Sequence, residues 1–192
     1  MRHFKFLLFL AIITTATSCG SSDTGTETVS TAQETTTTPS EISTNSSSKV
    51  KFEPFNNIDN VRQKLSSVGI GDLGRWRDDE MGDYMSITSY HQFGGGNMPN
   101  NLAYYLESDN SNSIKTLKLV LNINNRNKKP ALSKFAKTVD KTYKVLGLTP
   151  NNQIMNAAKS GKEIKVDKGT HSEKIELEKS RIETWKFIIE TK

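Results

Sequence analysis

The 192-residue sequence predicts an α+β fold: an antiparallel sheet with helices on one face, in the order α-β-β-β-α-α-β-β-β, behind a disordered tether. Two observations predict it. Apolar residues recur at helical intervals near residue 60, alternate in twos from 84 to 123, return to helical spacing after 131, and alternate again near the C-terminus. Composition also changes abruptly near residue 50, from Ser and Thr with hardly an apolar side chain to an ordinary globular mixture, so residues 50–192 read as one domain.

Phe52, Pro54 and Phe55 lead into the core, and Ile58, Val61, Leu65 and Val68 then share a helical face that stops at Gly69. Residues 71–82 are turn-rich. From 84 to 93 the period becomes two, with Met85, Ile87 and Phe93 on one face and Tyr84, Thr88 and Tyr90 on the other. The loop 94–99 leads to a second strand through Leu102, Tyr104 and Leu106; after residues 109–112, a third turns Leu117, Leu119, Leu121 and Ile123 inward. Loops of this kind fit hairpins, so the three strands form an antiparallel meander. Leu132, Phe135, Ala136, Val139, Tyr143 and Leu146 make a helix over 131–146, closed by Gly147. Thr149-Pro150 supplies a cap and a first-turn proline for a short helix through Ile154 to Gly161. Strands follow around Ile164 and Val166, around Ile175 and Leu177, and from Ile182 to Ile189, where Trp185, Phe187 and Ile189 alternate. This order loosely resembles the type III secretion chaperone-like fold, a likeness of element order that carries no activity.

Residues 1–18 have the order of an export signal. Arg2 and Lys5 precede an apolar run, residues 6–13, and the small residues Ala16-Thr17-Ser18 follow. The run is far shorter than the roughly 20 apolar residues a membrane-spanning helix needs, so removal is expected. Cys19 is the sole cysteine and has no intramolecular disulfide partner. Ala16-Thr17-Ser18-Cys19 resembles the lipobox of bacterial lipoproteins, with Ala where the family pattern has Leu at the third position before the cysteine; Ala-x-Ser also fits an ordinary signal-peptidase site. The lipoprotein resemblance implies that Cys19 is acylated, becomes the new N-terminus, and anchors the chain to a membrane of the cell envelope. Gly20 stands where enteric lipoproteins would carry Asp as an inner-membrane retention signal, which favours the outer membrane. A single acyl chain anchors only marginally, and the two or three of a lipoprotein make the attachment durable.

Residues 19–49 read as a lipid-anchored, disordered Ser/Thr-rich linker, because such a stretch buries too little surface to offset its ordering entropy. A flexible coil of about 30 residues spans roughly 30 Å root-mean-square. The Thr35–Thr38 run before Pro39 also resembles O-glycosylated stalks, with an unmodified spacer as the simpler reading. Without Arg2, Lys5, Lys49 and the four linker acids, the domain holds 23 basic and 17 acidic residues. That mild excess fits an anionic envelope partner, lipid head groups or plain solvation; it does not suggest nucleic acid, since the chain is exported and its lysines alternate with acids.

No residue set implies a cofactor or a metal, and no catalytic set stands out. The domain has no thiol, and His91 and His171 read as surface histidines too few for a zinc site. Asp78, Asp79, Glu80 and Asp83 lack the alternation of a calcium loop. The triglycine 94–96 lacks the Lys-Ser/Thr and helix start of a phosphate loop. Ser86 or Ser89 with His91 and Asp83 lacks nucleophile-elbow glycines, and Ser86 is expected on the strand face opposite His91. The informative constellation is aromatic and basic: Trp76 between Arg75 and Arg77, with Tyr84, Tyr90, Tyr104 and Tyr105 on adjoining strands, residue types that concentrate binding energy at interfaces. Trp76 capping the core edge is the structural alternative. The leading expectation is a non-enzymatic envelope lipoprotein that binds a protein or peptide partner through these residues; an envelope hydrolase using His91 and nearby acids, or a spacer without a ligand, are the alternatives.

Overall fold

The computed structural model describes residues 51–125 and 127–192. The signal segment 1–18, Cys19 and the linker through residue 49 lie outside the described residues. After a 3-10 turn at Glu53–Phe55 come α1 (Ile58–Ser66), β1 (Arg77–Asp78), β2 (Tyr84–Ile87), β3 (His91–Phe93), β4 (Asn100–Ser108) and β5 (Thr116–Ile123). Then follow α2 (Lys128–Leu146), α3 (Asn152–Ser160), β6 (Ile164–Asp167), β7 (His171–Lys179) and β8 (Glu183–Thr191). The described residues form an α+β fold: an open antiparallel sheet of eight strands with three α-helices.

The sheet order is β1-β2-β4-β5-β8-β7-β6, with β3 pairing β4 beyond the end of β2. It is two meanders joined at β5 and β8, which pair from Thr116↔Glu190 to Ile123↔Glu183. The α2–α3 hairpin connects the two meanders and covers one face. That face is the core: Leu102, Tyr104 and Leu106 of β4, Leu117, Leu119 and Leu121 of β5, and Trp185, Phe187 and Ile189 of β8 are buried with Phe135, Val139 and Tyr143 of α2. Val61 and Leu65 of α1 and Ile154 and Ala158 of α3 complete it, and Phe52 and Phe55 are buried in it from the N-terminal side.

Capping and turn chemistry account for the helix ends. Asn57 caps α1, its side chain accepting from the Asn60 amide at 3.0 Å. Helix α2 starts three residues before the expected Ala131, because Pro130 falls in the first turn, where its missing N–H costs no intrahelical bond. The cap of α3 is Asn151, whose side chain accepts from the Gln153 amide at 2.9 Å, rather than Thr149. Gly161 ends α3 at φ +63°, and a Cβ there would lie 2.9 Å from Leu132 Cδ1 and 3.3 Å from Trp185 Cζ2. Both the left-handed backbone and the close packing require glycine.

The expected strand over 84–93 is broken. Across from β4, Ile87 pairs Tyr105 while His91 pairs Leu102, so three residues, 88–90, oppose two. This bulge is held by Thr88, whose amide donates to the Tyr104 carbonyl and whose Oγ1 accepts from the Tyr104 amide. One extra residue reverses the alternation, so Phe93 joins the Tyr84 and Thr88 side, and Tyr90 joins Met85 and Ile87. The turn-rich segment 71–82 also contributes to the sheet. Leu73 bridges Thr88, the Gly74 amide donates to the Ile87 carbonyl, and β1 pairs β2 through Arg77↔Met85 and Asp78↔Tyr84. Arg62 of α1 secures this segment, donating from Nε to the Gly74 carbonyl at 2.8 Å and from Nη2 to the Leu73 carbonyl at 3.3 Å.

Candidate functional site

Strand alternation divides the aromatic-basic constellation between the two faces of the sheet. Tyr104 lies on the core side, fully buried, its hydroxyl 2.5 Å from Thr142 Oγ1 of α2. It cannot share an exposed surface with Tyr105, because neighbours along a strand point to opposite faces. Burial, only partly opposed by the Thr142 hydrogen bond, drives the Tyr104 phenol well above its ordinary pKa. Tyr84 pairs Ser108 at the sheet's edge and stacks on Trp76, ring centroids 6.1 Å apart and planes 22° apart. Trp76 packs against the core cluster, and its Nε1 donates to the Ser111 carbonyl at 3.1 Å. Trp76 and Tyr84 thus close the core edge.

The rest of the constellation faces outward. On the uncovered face Tyr90 and Tyr105 bring their hydroxyls within 3.1 Å of each other, and Ile87 lies directly across from Tyr105. Tyr90 is 58% exposed and Ile87 36%. Partial burial, followed by the bond to Tyr90, pushes the Tyr105 phenol up to about 12. Arg75 and Arg77 are exposed and line, with Met85 and Ile87, a shallow cleft of about 330 Å³. Tyr90, Tyr105, Val120 and Asn122 line a second cleft of about 310 Å³.

Toward the other edge the open face becomes a polar ladder. Lys118 pairs Glu107 across β5 and β4 at 2.5 Å, Lys186 pairs Glu178 across β8 and β7 at 2.6 Å, and Lys174 pairs Glu190 at 2.6 Å. Asn122 joins Asn101 and Thr184 by hydrogen bonds of 2.9 Å each. The Lys174 ammonium holds the Glu190 carboxyl below the usual carboxylate range, and the Lys186 ammonium does the same for Glu178. Each pair keeps its carboxylate partly in water, which limits its contribution to stability. They leave the aromatic end as the part of the face with unsatisfied contact surface.

No family model, curated protein or solved structure matches the chain. The site's chemistry therefore rests on its own residues. Ser86 and His91, expected on opposite faces, are both on the core side because the bulge intervenes; their partners on β4, Leu106 and Leu102, are four residues apart, or roughly 13 Å. Ser86 Oγ donates to the Gly74 carbonyl at 2.8 Å, so it is engaged in holding the edge segment. Asp79 Oδ1 accepts from the Met81 and Asp83 amides, and Asp78 Oδ1 from the Glu80 amide, which makes these carboxylates the local caps of their own turn. Among the described residues no group of three or more His, Cys, Asp and Glu side chains forms a metal set.

His171 is not a surface histidine. It is 8% exposed, its ring lies 4.1 Å from that of Phe52, and its Nε2 is 3.4 Å from Glu173 Oε1. Tyr143 of α2 donates to the other Glu173 oxygen at 2.9 Å, and Thr170 Oγ1 lies 3.1 Å from His171 Nδ1. Burial, then the adjacent Glu173 carboxylate, raises the Tyr143 phenol far above its ordinary pKa. With both carboxylate oxygens engaged, this network ties α2 to β7. The signal was in the sequence: His171, Glu173 and Ile175 share one strand parity, so the apolar residue carries the two polar ones into the core.

Proposed function

We propose that the chain is an envelope lipoprotein, held to a membrane by acyl chains on Cys19, whose α+β domain binds a protein or peptide partner through the aromatic end of its open sheet face. The observation that carries the binding surface is the exposed Tyr90 and Ile87 beside Tyr105, on the face opposite the helices and flanked by Arg75 and Arg77. Contiguous exposed aromatic and aliphatic side chains rimmed by polar groups mark interaction sites. Tyr and Arg contribute disproportionately to such contacts, since each combines a large contact area with hydrogen-bonding groups. Trp76, Tyr84 and Tyr104 support the surface from behind without forming it.

Crosslinking in cells followed by pull-down tests the assignment. Tyr90→Ala is expected to lower recovery of a discrete partner by roughly 30-fold in affinity, the effect of removing an interface residue contributing about 2 kcal/mol. The substitution sits in the exposed bulge between β2 and β3, outside the strand pairing, so the fold is expected to survive. Equal recovery by wild type and Tyr90→Ala would contradict this surface.

A further inference from the structure

The domain's net charge has an address. Residues 51–192 hold 23 basic and 17 acidic residues, an excess of six. Helices α2 and α3 alone hold seven lysines and one aspartate, which is the same excess, while the remainder of the domain balances at sixteen of each. All seven lysines are exposed. Lys128 pairs Glu183 and Lys144 pairs Asp140; Lys129, Lys134, Lys137, Lys141 and Lys159 make no ion pair among the described residues. At 3.6 residues per turn, the α2 lysines other than Lys128 fall on an arc of about 140°, opposite the buried stripe of that helix. Between α2 and α3 lies an open cleft of about 530 Å³, lined by Ala136 and Met155 and by Lys137, Lys141, Lys144 and Lys159, with Asp140, the partner of Lys144, the one acid among its lining residues.

We propose that this face of α2 and α3 rests on an anionic lipid surface, the head groups of the membrane that holds acylated Cys19. The proposal rests on the lipid-anchored reading above. Two arguments favour this occupant. Five lysines that make no ion pair among the described residues, four on α2 and Lys159 on α3, complement a surface of phosphate charge, and lysine stems can lie along the apolar floor while their ammonium groups reach the phosphates. A flexible chain of about 30 residues between Cys19 and the domain would have a root-mean-square span of roughly 30 Å, so the proposed anchor would raise the effective concentration of these lysines at the head groups. The helices lie on one side of the sheet and the proposed partner surface on the other. Docking through the helices therefore turns Tyr90, Ile87 and Arg77 away from the membrane and toward a partner.

The test uses the mature chain carrying Cys19→Ser, so that no acyl chain contributes, in flotation with vesicles of phosphatidylcholine alone or with added phosphatidylglycerol. Flotation is expected with the anionic vesicles only, and it is expected to disappear as salt rises and the Debye length shrinks below about 8 Å. Each lysine near an anionic surface is worth about a fivefold change in partitioning, so Lys137→Gln with Lys141→Gln should weaken flotation about 25-fold. Lys165→Gln with Lys179→Gln, the same charge loss off the two helices, should change it far less. Lys and Gln have similar helix propensity, so the helical pair keeps its fold. Three results would each overturn the proposal: no binding to anionic vesicles at low salt, equal binding to both compositions, or equal effects of the two variant pairs. Retention on a soluble acidic polysaccharide without vesicle binding would likewise remove the membrane as occupant. If the acylated wild type stays membrane-bound while the Cys19→Ser chain ignores anionic vesicles, the anchor stands and only the docking face fails.

Discussion

Phe187→Ala is expected to destabilise the domain by about 3–5 kcal/mol, because truncating a fully buried aromatic ring removes its transfer energy and leaves a cavity that the surroundings only partly fill. Phe187 is 0% exposed. It sits on β8 at the junction of the two meanders, paired with Leu119 on β5 and Ile175 on β7, and its ring lies 5.4 Å from that of Tyr143 on α2. One side chain thus joins both halves of the sheet to the helix layer. Chemical denaturation should show a lower midpoint with an unchanged slope. Ile87→Ala, on the open face, should cost far less, within about 0.5–1 kcal/mol. A Phe187→Ala loss below about 1 kcal/mol would contradict the position of the core.

Alkaline pH is expected to have the next largest effect. Tyr104 and Tyr143 are both 0% exposed, and burial raises each phenol far above its ordinary value. In the unfolded chain both ionise near pH 10. Between that pH and their folded values these two groups together hold up to two protons that the unfolded chain has released, and Tyr105, pushed up to about 12, acts in the same direction, so stability falls with rising pH. Two such groups give a slope of about 2.7 kcal/mol per pH unit once the unfolded tyrosines are fully ionised. The stabilisation is fully present below pH 10 and is lost as pH climbs through the folded range. Tyr104→Phe should lower the slope by about 1.4 kcal/mol per pH unit, the share of one such group, provided that Thr142 keeps its own bond to the Thr138 carbonyl. A denaturation midpoint that stays flat from pH 9.5 to pH 11.5 would show that the phenols are accessible.

Helix and strand types were legible because the period of the apolar residues changes clearly between 2 and 3.6. Leu117, Leu119, Leu121 and Ile123 were readable as an inward row, and Val61 with Leu65 as a helical stripe, since burial follows parity and spacing there without interruption. The faces of residues 84–93 were not legible. A bulge has no hydrophobic signature; Thr88 holds it through a side-chain bond to a strand distant in sequence, and it reverses the parity of every residue beyond it. The bulge separates Tyr90 from Tyr84, and strand alternation separates Tyr104 from Tyr105, so the aromatic constellation is divided between the two faces. Residues 71–82 read as turn-rich because Gly71, Gly74 and the four charged residues Asp72, Arg75, Arg77 and Asp78 conceal an edge segment that tertiary contacts from Arg62 and Ser86 hold in place. The His171–Glu173 network was legible from parity but masked by its composition, since polar residues read as surface until a partner such as Tyr143 appears.

Mass spectrometry of the processed N-terminus tests most directly whether acyl chains fix the place where this molecule works. A chain beginning at Cys19 and carrying a thioether-linked diacylglycerol is the predicted species. A free thiol at Cys19, or a mature chain that still retains residues 1–18, would contradict the anchoring and leave the helix-face docking without its tether.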